Sequence, residues 1–212
     1  MVADGMGGHA AGNVASDIFH SVTARQCSKH NSPVSDNISE LIKQCFNKAH
    51  LEIRDQVKRA PQLEGMGCTA NILIINEQRF TIGHVGDSRT YRLRHNVMEQ
   101  LTTDHSFVQQ QIELGLLTPD QAQTHKMRSV ILQAVGVSDR LEIDIIEGDV
   151  QPDDLFMLCT DGLYTMLQES KVQQILESEM SLDQKVSLLV SLANVAGGND
   201  NITVVLAAVV DT

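Results

Sequence analysis

The stretch MGCTANILIINEQRFTIGHVGDSRTYRLR (66–94) decides the fold class. Ile72–Ile75 form a short β-branched run, and Glu77 and Gln78 make a turn. The segment from Arg79 to Asp87 reads as a second strand. From Ser88 to Arg94, Tyr91 and Leu93 alternate with Arg92 and Arg94, the period-2 pattern of a third strand. Connections this short cannot contain the crossover that a parallel pair needs, so the strands must pair antiparallel. RHNVMEQL (94–101) adds another hairpin with Asn96 in its turn.

The flanks are helical. From Ala10 to about Arg25, Val14, Ile18, Phe19 and Val22 recur at helical spacing. After a polar loop containing Pro33, Ser35 or Asp36 can cap a second helix that runs to about Ala60, with Ile38, Leu41, Ile42, Cys45, Phe46, Ala49 and Ile53 on one stripe. Past the strand block come a helical piece over 107–114 and an exposed insertion, GLLTPDQAQTHK (115–126). LEIDIIEGDV (141–150) and LFMLCTD (155–161) read as strands. Amphipathic helices over 169–178 and 181–196 follow, and NITVVLAAVV (201–210) is a closing strand. Helices at both ends of a run of antiparallel strands predict an α+β layered sandwich, and 212 residues fit one domain, 1–212.

Composition narrows the function. Aromatic residues are only 3%, so the core must be aliphatic. The net charge of −11, with no Lys/Arg-rich block, argues against binding a nucleic-acid backbone. An acidic chain can still handle an anionic substrate where a bound cation reverses the local field. No stretch has the length of a membrane span or the pattern of a signal peptide, which predicts a cytoplasmic protein without a membrane partner. Cys27, Cys45, Cys68 and Cys159 form no CxxC pair and read as free thiols.

Three aspartates mark apolar strand ends. Asp4 and Asp161 each follow an apolar run and precede glycine, whereas Asp200 stands before the last strand. If that strand runs antiparallel to the other two, all three carboxylates emerge at one edge. Like charges so gathered call for a cation, and oxygen-only ligands suit Mg²⁺ or Mn²⁺. Asp-Gly and Asn-Asp are also ordinary turn formers, so each aspartate alone reads equally well as a turn residue. A rival reading takes Gly5–Ala10 as GxGxxA, a dinucleotide fingerprint. Against it stand Asp4, which would face a pyrophosphate, and the lack of a βαβ unit downstream.

Seven motifs together resemble the PPM family, the metal-dependent serine/threonine phosphatases of type 2C, in its bacterial branch. They are VADGMGGHAAG (2–12), GCTA (67–70), VGDSR (85–89), LTTDHS (101–106), HKMRSVILQAVG (125–136), LCTDGL (158–163) and GGNDNITVV (197–205), in family order. The resemblance implies a four-layer α-β-β-α sandwich with a metal site between the sheets. It implies that Asp4 bridges two metals, that Gly5 adds its carbonyl, and that Asp161 and Asp200 complete the first site. Asp104, with Asp161, would hold a third metal. Asp87 and Ser88 match a supporting motif that also reads as a tight turn. The insertion at about 115–130 matches a flap beside the active site. Met6 stands where eukaryotic members carry a proposed acid, so water would protonate the leaving group, and His9 reads as structural.

The implied activity is hydrolysis of phosphoserine and phosphothreonine in proteins by a metal-activated water, with Mn²⁺ or Mg²⁺ at two or three sites. Asp4, Asp161 and Asp200 would be catalytic through the metals. The implied partners are phosphoproteins, including substrates of serine/threonine kinases, and the chain is expected to be a monomer. The family carries a strand before VADG that supplies a further acidic ligand and a phosphate-binding arginine; here only Met1 precedes Val2. The alternative expectation is therefore a weakly active or inactive phosphatase-like metal-binding or regulatory domain. His125 and Arg128 are remote candidates for the phosphate.

Overall fold

A computed structural model describes residues 1–29, 37–138 and 140–210. In chain order the elements are β1 (Val2–Met6), α1 (His9–Lys29), α2 (Ile38–Arg59), β2 (Gly67–Asn76), β3 (Arg79–Val85), β4 (Arg89–Arg94), β5 (Val97–Gln100), α3 (Phe107–Glu113), α4 (Pro119–Gln123), β6 (Asp144–Asp149), β7 (Leu155–Cys159), α5 (Asp161–Tyr164), α6 (Glu169–Leu176), α7 (Leu182–Val195) and β8 (Val204–Ala208). The strands make two four-stranded sheets, ordered β1-β2-β3-β6 and β5-β4-β7-β8. Their pairings are antiparallel throughout, as the short connections require. At the β4–β5 hairpin His95 and Asn96 both take positive φ, 50° and 58°, the geometry that matches the strand twist. The side chain of Asn37 caps α2 by accepting the Glu40 N–H at 3.0 Å; the expected caps, Ser35 and Asp36, lie outside the described residues. Among the described residues no helix is long and apolar enough to cross a membrane.

Three apolar cores set the order of the layers. Cys68, Ala70 and Ile72 of β2 meet Phe19 and Val22 of α1 and Ile42, Phe46 and Ile53 of α2. Tyr91, Met157 and Cys159 of the second sheet meet Val172 and Ile175 of α6 and Leu189 of α7. Between the sheets lies a thinner core of Phe80, Ile82 and Phe156, where the two rings pack edge to face at 5.2 Å. The stacking is thus helices, sheet, sheet, helices. Central strands covered on both faces explain why LFMLC is apolar at every position rather than alternating.

Along the space between the sheets the chemistry changes. In register, Phe80 opposes Ile75, Ile82 opposes Leu73, His84 opposes Asn71, and Asp4 opposes Thr69. That sequence of neighbours passes from apolar to polar toward the end of β1. There the buried Asn71 Nδ2 donates to Ser88 O (2.8 Å) and to Thr90 Oγ1 (3.2 Å), and the hydroxyls of Thr69 and Ser88 bond at 2.7 Å. These bonds join the sheets where apolar packing stops, and each of these four side chains keeps a partner. The polar end is where the site lies.

On the opposite face of β3, α2 sits so close that a Cβ on Gly83 would lie 2.2 Å from Ile42 Cγ2 and 2.9 Å from Phe46 Cε2. Gly83→Ala should therefore lower stability by roughly 1–3 kcal/mol. Removing the obstructing Cγ2 with Ile42→Ala should make the loss in the double variant smaller than the sum of the two single losses, as measured by urea unfolding; strictly additive losses would contradict this packing.

Candidate metal and active site

Backbone contact positions the first carboxylate. A Cβ on Gly5 would lie 2.0 Å from Gly12 O, and one on Gly12 would lie 2.6 Å from Gly5 O. Helix α1 therefore rests directly on the end of β1, and no side chain can separate them. Gly7 and Gly8, with φ of 108° and 89°, make the reversal into the helix. Asp4 is left on the inner face of the first sheet, half-buried.

A second close approach brings the other two aspartates together. The β7–β8 ladder continues past the strands: the Thr160 N–H donates to Thr203 O at 3.2 Å, and the Thr203 N–H donates to Thr160 Oγ1 at 3.1 Å. A Cβ on Gly162 would lie 2.3 Å from Asn201 O, so this turn too admits only glycine without displacement. Asp161 is thereby held beside the segment that carries Asp200. The antiparallel course of β8 against β7 puts the two at the same end of the sheet.

These carboxylates disturb one another. Burial first, then the charges of Asp161 and Asp200, push the Asp4 carboxyl up to about 7. Burial and the charge of Asp200 raise Asp161 as well. Asp161 Oδ1 is buried and has no hydrogen-bond partner. Asp200, in contrast, is exposed, and its Oδ1 accepts the Asn201 N–H at 2.7 Å. It acts on the other two by charge while its side chain caps its own turn. Among the described residues, no group of three His, Cys, Asp or Glu side chains is already gathered as a set of metal ligands.

Asp87 and Asp104 take different parts. Asp87 is 7% exposed, and burial, followed by the charges of Asp161, Asp104 and Asp4, pushes its carboxyl up to about 7. Sequence reading matches it to a supporting motif that also reads as a tight turn; in the fold its carboxyl feels the charges of Asp161, Asp104 and Asp4. Asp104, expected at a third metal, meets Arg89 side-on, with Nε to Oδ1 at 2.9 Å and Nη2 to Oδ2 at 2.7 Å. Arg89 also lies 3.7 Å above the Tyr164 ring, whose hydroxyl donates to Asp87 O at 3.0 Å. A bidentate guanidinium already neutralises Asp104, so a cation there would have to displace it. Behind this pair, His84 bridges Asn71 Oδ1 (2.6 Å) and Thr103 O (2.9 Å).

The insertion is tied to the site's edge. Phe107 N–H donates to Val130 O and Leu132 N–H to His105 O, both at 2.8 Å, next to Asp104. Within it, Thr118 and Gln121 form a capping box that starts α4. His125 stacks on Phe107 at 5.8 Å, and Arg128 is exposed. Among the described residues neither makes a hydrogen bond or ion pair to Asp4, Asp87, Asp161 or Asp200.

A family model described as protein phosphatase 2C matches residues 1–195. The chain belongs to this family. It is 35% identical over 207 residues to the serine/threonine phosphatase stp of Listeria innocua, covering 97% of this chain and 82% of that one. It superposes on the crystal structure of the Mycobacterium tuberculosis serine/threonine phosphatase PstP/Ppp with a TM-score of 0.91 at 33% identity, covering 99% of this chain and 87% of that one. A structure of the PstP catalytic domain in complex with two manganese ions matches with a TM-score of 0.88, also at 33% identity, over 99% and 86% of the two chains.

The residues present suit such ions. In this type 2C phosphatase fold the donors are all oxygen, the choice of hard cations rather than zinc. The unpartnered Asp161 Oδ1 and the raised carboxyls mark charge that protein groups alone do not compensate. A test separates Asp87 from Asp104. At pH 8, above its raised pKa, Asp87 is charged at a cost, so Asp87→Asn should stabilise the metal-free protein by on the order of 2 kcal/mol. Asp104→Asn should do the opposite by weakening the pair with Arg89. Thermal unfolding without divalent cations reads both signs.

Proposed function

We propose that this chain hydrolyses phosphoserine and phosphothreonine in proteins and depends on Mn²⁺ or Mg²⁺ held by Asp4, Asp161, Asp200 and the carbonyl of Gly5. The observation that supports this most directly is the buried Asp161 Oδ1, which lacks a partner beside a half-buried Asp4 whose own carboxyl resists ionisation. When bound, the cations supply an activated water and offset the charge of the phosphate.

The chain's own residues supply position. Gly5 and Gly162 let backbone approach closely enough to fix Asp4 and Asp161, and Asp200 needs only to release the Asn201 N–H to turn toward them. Asp104, with Asp161, would hold a further cation by displacing Arg89, and Asp87 lies beside them. Until displaced, Arg89 stays locked to Asp104 and Tyr164, so it braces the site and does not reach for substrate. The segment over 115–130, tied to His105 and Phe107, acts as a flap against the phosphoprotein.

A weakly active, metal-binding regulatory domain is the second reading, favoured by Asp200 being turned to its own backbone. Both are tested with a phosphothreonine peptide and Mn²⁺. Hydrolysis should require Mn²⁺, and Asp161→Asn should lower kcat/KM by at least about 100-fold, on the order of losing one essential electrostatic group. Stabilisation of the wild-type chain by Mn²⁺ without peptide hydrolysis would favour the regulatory reading; no Mn²⁺ effect on stability or turnover would remove both.

A further inference from the structure

Helices α1 and α2 lie antiparallel, and their seam carries two cysteines. The register is set by side chains: Arg25 Nη2 pairs with Glu52 Oε2 at 2.8 Å, and Lys48 Nζ donates to Gln26 Oε1 at 2.7 Å. Moving toward the end of α1 and the start of α2, the next facing positions are Cys27 and Cys45. Cys27 and Thr23, one turn before it, both lie close enough to Cys45 to bear on its thiol. Cys27 is exposed, and Cys45 is buried at 1% accessibility. The other two thiols, Cys68 and Cys159, are each fully buried in a separate core.

The two partners differ in the way a peroxide-reactive pair requires. Cys27 is open to an oxidant, whereas Cys45 is shielded from it but within reach of Cys27. Burial, then the neighbouring Cys27, pushes the Cys45 thiol up to about 12, so it stays protonated and does not meet the oxidant first.

We propose that Cys27 and Cys45 form a reversible oxidation site that joins α1 to α2 by a disulfide on exposure to hydrogen peroxide. The Cys27 thiol attacks the peroxide, the O–O bond breaks, and sulfenic acid and one water form. Cys45 sulfur then attacks the Cys27 sulfur; its proton leaves with the displaced hydroxyl as a second water. The two thiols are oxidised by two electrons and the peroxide is reduced by the same two. A dithiol reverses the step by exchange. The site lies on the outer helix layer and uses none of the carboxylates of the metal site.

The test treats the purified chain with hydrogen peroxide, blocks remaining thiols under denaturing conditions, and maps the peptides by mass. The expected product is a cross-linked pair containing Cys27 and Cys45, lighter than the two free peptides by two hydrogens and undone by dithiothreitol. Closing the segment between them should raise the thermal midpoint by roughly 5–10 °C. Cys27→Ser and, separately, Cys45→Ala should abolish the cross-link, and the exposed position of Cys27 keeps the first variant folded. Sulfinic acid at Cys27 with Cys45 still blockable would overturn the proposal. Chains joined to one another through Cys27 would overturn it as well.

Discussion

Burying several aspartates against one another is the constraint around which the molecule is arranged. Asp4, Asp87 and Asp161 each resist ionisation in the folded chain, with loss of hydration the largest cause and mutual repulsion the next. Nothing in the local sequence of any one of them requires this. It arises because two antiparallel sheets face each other, and the space between them is filled with apolar side chains at one end only. At the other end, hydrogen bonds from Asn71 and Thr69 hold the sheets together. The apolar end supplies cohesion, and the polar end holds charge that the rest of the fold must sustain.

Arg89 is set against that charge, and its placement divides the acidic groups into two kinds. Asp104 is paired side-on with Arg89; among the described residues no ion pair holds Asp4, Asp87 or Asp161, and Asp161 Oδ1 has no hydrogen-bond partner. An acidic chain with a net charge of −11 thus keeps a small uncompensated region inside it. Protein stability is sacrificed there, as is usual where binding sites are built.

Much of this is legible in the sequence, and the boundary of legibility is physical. Short connections between alternating strands force antiparallel pairing, so the strand block and the two outer helix layers follow from local pattern. Asp4 and Asp161 stand at the ends of apolar runs before glycine, which is why they can be picked out without coordinates. Local pattern alone does not single out Asp87, which sits in a turn after Gly86 at φ 107°; the VGDSR motif marks it. The partnership of Arg89 with Asp104 is equally invisible, since nothing local distinguishes a paired aspartate from a free one. Cys27 and Cys45 belong to the same class: helical periodicity puts Cys45 on an inner stripe, but only the register of two helices gives it a neighbour.

The contact of Gly162 with the Asn201 carbonyl also bears on how the protein matures. It unites segments far apart in sequence, and Asp4 joins them from the opposite end of the chain. Closing such distant loops is the entropically late part of assembly. A chain still emerging from the ribosome, with β8 not yet made, would own Asp4 and Asp161 but not the strand that fixes the second of them. Acquisition of the proposed cation would therefore belong after the last strand has docked, and a metal centre there would serve as a seal on a completed fold rather than a nucleus for it.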